Sequence, residues 1–204
     1  MRRFVIIGRK ASASEEFFLD DLPSTSGRLD ILLRGVRAAL LTSHGLRRDA
    51  MVYLVLLGGP RAPRVLRIRG DAAKFIRPDE RSLATLAKKT LASRADEGAS
   101  GFVDVKPGIA IARGGLEEVL TDAAGAALFL LDEGGEDLRK VEPLGDGGST
   151  DLAFFLGDHG GFDAETRARL DAAGARPVSI GPVAVHADDV VAIVSNELDR
   201  RGAR

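Results

Sequence analysis

Two stretches decide how the chain is read: residues 154–162, FFLGDHGGF, and residues 177–201, PVSIGPVAVHADDVVAIVSNELDRR. Each runs from a short apolar strand through a glycine-bearing turn toward a helix. Glycine turns at the carboxyl ends of strands let a ligand approach the backbone, and α/β sheets bind small molecules in such loops. The spacing of Gly157, Gly160 and Gly161 matches neither the dinucleotide fingerprint nor the phosphate loop, and no lysine follows. The turns therefore suit a neutral, adenine- or ribose-sized group better than a phosphate.

Outward from these turns, the second half alternates strands with helices. Strands are expected at Ala127–Leu131, 153–156 and 177–180, and helices at Leu116–Ala124, Asp163–Ala173 and Ala187–Arg200. That alternation predicts an α/β fold with a mainly parallel sheet flanked by helices. Residues 134–150, rich in glycine and charge, read as a hairpin or mobile loop. The last helix carries a stripe of Val190, Val191, Val194 and Leu198, with Asp188 and Asp189 near its positive N-terminus and Glu197 and Asp199 on a solvated side.

Earlier in the chain, Arg3–Gly8 and Met51–Leu57 read as buried strands and Arg64–Arg69 as a strand with one basic face. Short strands are expected at Phe102–Val105 and Gly108–Ala112, and a helix from Pro78 to Ala92. Residues 9–27 read as a long loop. A helix from Arg28 to Ser43 puts Leu29, Leu32, Leu33, Val36 and Leu40 on one face. Asp30, Arg34 and Arg37 share an adjoining face. Either they form a solvated ion-pair row, or Asp30 is a carboxylate held by arginine and Arg34 an anion clamp.

At 204 residues and 45% hydrophobic content the chain buries one core, and one domain is expected. The absence of cysteine excludes disulfides and thiolate chemistry, and His44, His159 and His186 lack metal-ligand spacing, so no metal is expected. His159 between glycines is either a general base or a loop-bonding residue, and His186 a capping or packing residue. MRRFVIIG reads as a first strand, and no apolar run approaches the ~20 residues that span a membrane, so a cytoplasmic protein is expected. Residues 1–69 hold 13 Lys/Arg against 6 Asp/Glu, while the remainder is acidic. A basic N-terminal portion attracts a polyanion, unless it is ordinary surface charge.

Taken together, MRRFVIIG, DDLPSTSGRLDILLRGVRAALLTSHGLRRD, LGDHGGF and SIGPVAVHADDVVAIVSNELDRR resemble the TrmY family across nearly the whole chain, from Met1 to about Arg201. TrmY proteins are tRNA pseudouridine N1-methyltransferases of the SPOUT superfamily, acting at tRNA position 54. The resemblance implies a single SPOUT domain over residues 1–204, with a C-terminal trefoil knot in the cofactor-binding part at about 127–201. Composition could not suggest a knot, because knots are nearly absent from proteins. It further implies that S-adenosylmethionine is held by Leu130 and Leu131, Gly157, the run Ile180, Gly181, Pro182, Val183, Ala184 and Val185, and Val190. Val190 departs from the family pattern, where a cysteine follows the HAD segment; one pocket wall changes and no obligatory chemistry is lost. Asp30 becomes the candidate proton acceptor or orienter, Arg34 and Arg28 the charge stabilisers, and Arg47 and Arg48 the phosphate contacts to a tRNA T-arm. A homodimer is implied, with the stripe on the last helix as the candidate contact. The alternatives are a related SPOUT enzyme acting on ribosomal RNA and a non-catalytic RNA-binding SPOUT protein.

Overall fold

The computed structural model describes residues 1–142, 151–158 and 160–202. In chain order these form β1 (Arg2–Ser12), a 3-10 turn at Leu19–Asp21, α1 (Leu22–Thr25), α2 (Leu29–Leu40), β2 (Leu41–Thr42), β3 (Gly45–Leu46), β4 (Ala50–Gly58) and β5 (Arg64–Arg69). Next come α3 (Glu80–Ala92), β6 (Val103–Lys106), β7 (Ile109–Arg113), α4 (Leu116–Asp122) and β8 (Ala127–Asp137). The chain then passes through a 3-10 turn at Leu138–Lys140, β9 (Leu152–Gly157), α5 (Ala164–Ala172), β10 (Arg176–Ser179) and α6 (Ala187–Gly202). Eight strands make one sheet in the order β10-β8-β9-β1-β4-β5-β7-β6. From β10 to β4 every pairing is parallel; β5, β7 and β6 are added antiparallel at one side.

Central β1 is apolar without alternation because both of its faces are covered. Phe4 and Ile6 enter the core under α2 and α6, while Val5 and Ile7 enter a second, smaller core with Phe155 and Leu170. Phe154 stacks between Phe4 and Phe129 at centroid distances of 5.8 and 5.2 Å, tying β1, β9 and β8 together. Pairs of this kind contribute about 0.5–1.5 kcal/mol beyond the area they bury. No helix among the described residues is long and apolar enough to cross a membrane.

Three sequence expectations change. The expected loop over residues 9–27 is shorter, because β1 continues to Ser12, pairing with Gly58 of β4, and α1 occupies Leu22–Thr25. The helix expected to reach Ser43 stops at Leu40, where Leu41–Thr42 turns back to pair with Gly45–Leu46 in a tight hairpin. Within residues 134–150, the first part is strand: Glu136 and Asp137 pair with Val178 and Ser179 of β10. Residues 143–150 of that expected loop lie outside the described residues.

The stripe on α6 also does a different job. Val191 and Val194 are fully buried and Leu198 nearly so, all within the core beneath α2. An apolar face consumed by the protein's own core is not available to a second copy, so this stripe is not a dimer contact.

Candidate functional site

The carboxyl ends of the parallel strands open onto one cavity of about 1070 Å³. Four segments build it. Strand β8 pairs with β10 through Phe129 and Leu130, and then the pairing resumes only at Glu136. The residues between leave the ladder, which presents Leu131, Asp132 and Glu133 to the cavity. Gly135 closes the excursion against β10: a Cβ there would sit 2.5 Å from the Val178 nitrogen.

The second wall is the turn after β9. A Cβ at Gly157 would lie 2.6 Å from the Gly161 carbonyl carbon, so only glycine permits the turn to fold back on itself. Asp158 anchors it, its carboxylate accepting from the backbone N–H of Arg9 and Gly160, both at 2.9 Å. The third wall is the run from Ile180 to Val190 after β10, entered through Gly181 at φ +153°.

The fourth wall comes from the other half of the chain. Gly27 and Arg28 adopt successive left-handed conformations, at φ +63° and +70°. Left-handed backbone is strained for arginine, and such strain concentrates at functional sites. Buried Ser26 receives the N–H of Leu29 at 3.1 Å and so starts α2 just after this turn. The turn swings the Arg28 side chain back over the first turn of α2. There its Nε and Nη2 donate to the two carboxylate oxygens of Asp30 at 3.0 and 3.2 Å. Arg34, one helical turn on, donates to Oδ2 of Asp30 at 3.1 Å. Asp30 is fully buried, whereas Arg28 and Arg34 are each nearly half exposed.

This geometry is not that of a solvated ion-pair row. A solvated row would expose Asp30, and Asp30 has no exposure at all. Arg28 and Arg34 line the cavity and Asp30 does not. The carboxylate stands behind the guanidiniums, raising the pKa of Arg28 through its hydrogen bond and charge. Arg37 is exposed and takes no part in the cluster.

Of the residues expected to hold a cofactor, Leu131, Gly157, Ile180, Gly181, Val183, Ala184, Val185 and Val190 line the cavity. Leu130 does not: as the alternate residue on β8 it points into the second core. Pro182 is also absent from the lining. It is exposed. His186 lines the cavity and its carbonyl accepts the N–H of Val190, starting α6. His159 lies outside the described residues.

Arg47 and Arg48 are elsewhere and engaged. Arg47 pairs with Asp199 of α6 at 2.7 Å, and Arg48 donates to the carbonyls of Gly70 and Asp71. Arg48 is exposed and pairs with no carboxylate among the described residues, whereas Arg47 is neutralised by one. The same neutralisation holds for much of the basic N-terminal portion. Arg2 meets Asp49 and Asp199, Arg3 meets Asp151, Arg64 meets Asp96 and Arg67 meets Asp122. Folding brings acids of the second half onto several bases of the first, so part of the charge asymmetry along the chain is paired off in space.

Sequence reasoning missed Asp132 and Arg167, which form an ion pair on the cavity wall. The N–H of Gly134 and then the guanidinium of Arg167 hold the Asp132 carboxyl below the usual carboxylate range. Its position just past an apolar strand was the available signal. With Glu133, Asp158, Asp188 and Asp189 it gives the cavity lining five carboxylates against the guanidiniums of Arg28, Arg34 and Arg167.

A family model described as SAM-dependent RNA methyltransferase matches residues 1–203. The chain is 40% identical over 205 residues to the tRNA (pseudouridine(54)-N(1))-methyltransferase of Methanosarcina acetivorans, covering 100% of this chain and 93% of the relative. It is 39% identical over 202 residues to the protein of that name from Halobacterium salinarum, covering 99% and 98%. Among solved structures, Archaeoglobus fulgidus Nep1 bound to S-adenosylhomocysteine matches with a TM-score of 0.68, over 100% of this chain and 99% of that one. At 18% identity that likeness is one of fold.

Proposed function

The chain belongs to the family of SAM-dependent RNA methyltransferases, and from that membership we propose that it methylates N1 of pseudouridine 54 in the T-arm of tRNA, the activity for which its relatives are named. One observation carries the reading onto this chain's own residues. A single cavity holds glycine-bearing loops from three strand ends on one side and two guanidiniums backed by a buried carboxylate on the other.

The cavity fits a sulfonium cofactor together with a base. Its volume is that of a small-molecule site with room to spare. Ile180, Val183, Ala184 and Val185 offer apolar contact for an adenine, while the surplus of carboxylates over guanidiniums in the lining favours a positively charged sulfonium. Bound there, S-adenosylmethionine would supply an electrophilic methyl group and leave as a neutral sulfide.

What remains for the protein is to make N1 of the base a nucleophile. That nitrogen bears a proton; as the proton passes to solvent water in the open cavity, negative charge spreads onto the adjacent C2 carbonyl oxygen and, through the C5–C6 double bond, onto the C4 carbonyl oxygen. Arg28 and Arg34, exposed to the cavity, stabilise that charge, and donors aimed at developing charge are typically the largest catalytic contribution. The N1–carbon bond forms as the carbon–sulfur bond breaks, and the remaining requirement is alignment of the two. Asp30 fixes the guanidiniums from behind; of acceptor and orienter, its burial supports orienter. The target base lies in a folded loop, so it is splayed out to enter.

The reading extends to the whole chain as one SPOUT domain, with a trefoil knot in the cofactor-binding part at about 127–201, and to a homodimer joined away from the α6 stripe. The test gives the protein S-adenosylmethionine and two T-arm hairpins, with pseudouridine or uridine at the target position, and reads the nucleosides by mass spectrometry. Methylation of the pseudouridine hairpin alone is expected. No product on either hairpin, with cofactor binding measured separately, would overturn the tRNA reading and turn attention to ribosomal RNA or a non-catalytic role.

A further inference from the structure

We propose that the connector between β5 and α3 is a second RNA contact, with Phe75 as a stacking platform for an unpaired base and Lys74 and Arg77 as phosphate clamps. The proposal rests on RNA being the substrate. Phe75 is the most exposed large hydrophobic residue of the described chain, at 97%. Its backbone is left-handed at φ +58°, a conformation that a bulky side chain rarely adopts. Its neighbours explain how it is held there. Ala73 is fully buried and Ile76 packs against the core, so the connector is pinned on both sides and the ring between them is driven outward. Two anchors and a strained residue between them make a fixed projection and not a frayed end.

The charges around it point to a polyanion. Every carboxylate of this stretch is occupied. Asp71 pairs with Arg69 at 2.6 Å, Asp79 caps α3 through the Ser82 N–H at 2.8 Å, and Glu80 faces Arg34 at 3.6 Å. Lys74 and Arg77 are exposed and have no carboxylate within ion-pair distance among the described residues. Two more lysines stand nearby in the fold. Lys106 lies two residues before Gly108, where a Cβ would sit 2.2 Å from the Ala73 backbone nitrogen. Burial and the like charge of Lys89 together press the Lys106 pKa below its usual value. Uncompensated cations beside an isolated aromatic suit a nucleic acid strand, where each base offers a π-face and each step a phosphate. A protein interface would favour a larger apolar patch and few lysines.

The placement also suits the reaction. Four residues separate Phe75 from Glu80, so five steps of chain span at most about 18 Å. Glu80 reaches Arg34 of the cavity. An RNA with one base in the cavity can therefore lay a neighbouring part on this projection.

The test measures binding of the pseudouridine T-arm hairpin by fluorescence anisotropy over a series of salt concentrations. Phe75→Ala is expected to raise Kd about tenfold with an unchanged salt slope, and Phe75→Trp to bind like the parent. Lys74→Ala and Arg77→Ala are expected each to reduce the slope by about 0.7 to 1. Unchanged cofactor affinity by calorimetry would show each variant to be folded. Phe75→Ala binding within twofold of the parent would overturn the platform. So would a change in sedimentation by this variant, which would make Phe75 a protein contact. A parent that methylates the hairpin while Phe75→Ala binds equally well removes this inference alone; a parent that binds no RNA removes both readings.

Discussion

Among the described residues, Asp30 and Asp96 are the two aspartates with essentially no exposure that meet arginine, and only the arginines of Asp30 open onto a cavity. Asp96 and Arg64 are both almost wholly buried, with two bonds between them at 2.8 and 2.6 Å. The remaining guanidinium donor of Arg64 goes to the carbonyls of Ala13 and Leu91. That cluster is closed: it fastens the chain after β1 to the end of α3. Asp30 is as deeply buried, yet both of its arginines keep their outer faces in the open cavity. Burial of the carboxylate alone does not mark a site. What marks it is burial on the acid side combined with cations presented outward, because such an arrangement stabilises little and positions much.

The largest effect that tests this contrast is on stability. Asp96→Asn leaves Arg64 charged in the core, and breaking a buried pair typically costs about 3–5 kcal/mol. Urea unfolding should show that loss; a cost under about 1 kcal/mol would mean that the cluster is not the fastening described.

Next in size is a rate. Asp30→Asn should lower single-turnover methyl transfer by roughly 10²–10³-fold, as for removal of aligned charge stabilisation, while its unfolding free energy falls by about 1–2 kcal/mol. Cofactor affinity, read by calorimetry, should be nearly unchanged. If the stability loss matched that of Asp96→Asn, the two clusters would not differ in kind.

Arg34→Lys sharpens the contrast further, because a lysine keeps the charge but loses the planar fork. About a tenfold drop in rate is expected, against little change in the midpoint of thermal unfolding. Smallest of all is the pairing of Asp199 with Arg47 and Arg2, at 2.7 and 2.8 Å. Burial opposes ionisation there, but the hydrogen bonds of Arg47 and then Arg2 prevail and hold the Asp199 carboxyl below its ordinary value. A depressed carboxylate pKa adds stability above the unfolded value of about 3.9, and that stability is lost as pH falls through the lower folded value. Asp199 is 42% exposed, so solvent screening limits the effect to less than about 1 kcal/mol. Asp199→Asn should therefore match the parent in strong acid and lag slightly near neutrality, as read by denaturation at pH 2 and pH 7.

How much of this was legible in the sequence follows from the range of each interaction. The strand–turn–helix units around Gly157 and Gly181 are local, and their apolar runs and glycines announce them. The left-handed turn at Gly27-Arg28 is local too, but only its glycine signals it; an arginine in that conformation leaves no trace in composition. Whether Asp30 is solvated depends on what covers the edge of the α2 stripe, and periodicity describes the stripe without its cover. Arg47 and Asp199 are 152 residues apart and meet only because α6 packs against the hairpin end of α2. No count of charges along the chain anticipates such a pairing, so the basic N-terminal portion looked freer than it is. The α6 stripe was equally plain in the sequence, and its use was not, since an apolar face fits its own core or a partner's alike.

The most direct test of Asp30 as the holder of two arginines is the single-turnover rate against pH for the parent and Asp30→Asn. An orienting carboxylate predicts two profiles of the same shape, the variant displaced downward by a constant factor. A pH-dependent limb present in the parent and missing from the variant would make Asp30 the group that takes the N1 proton, and would contradict the account.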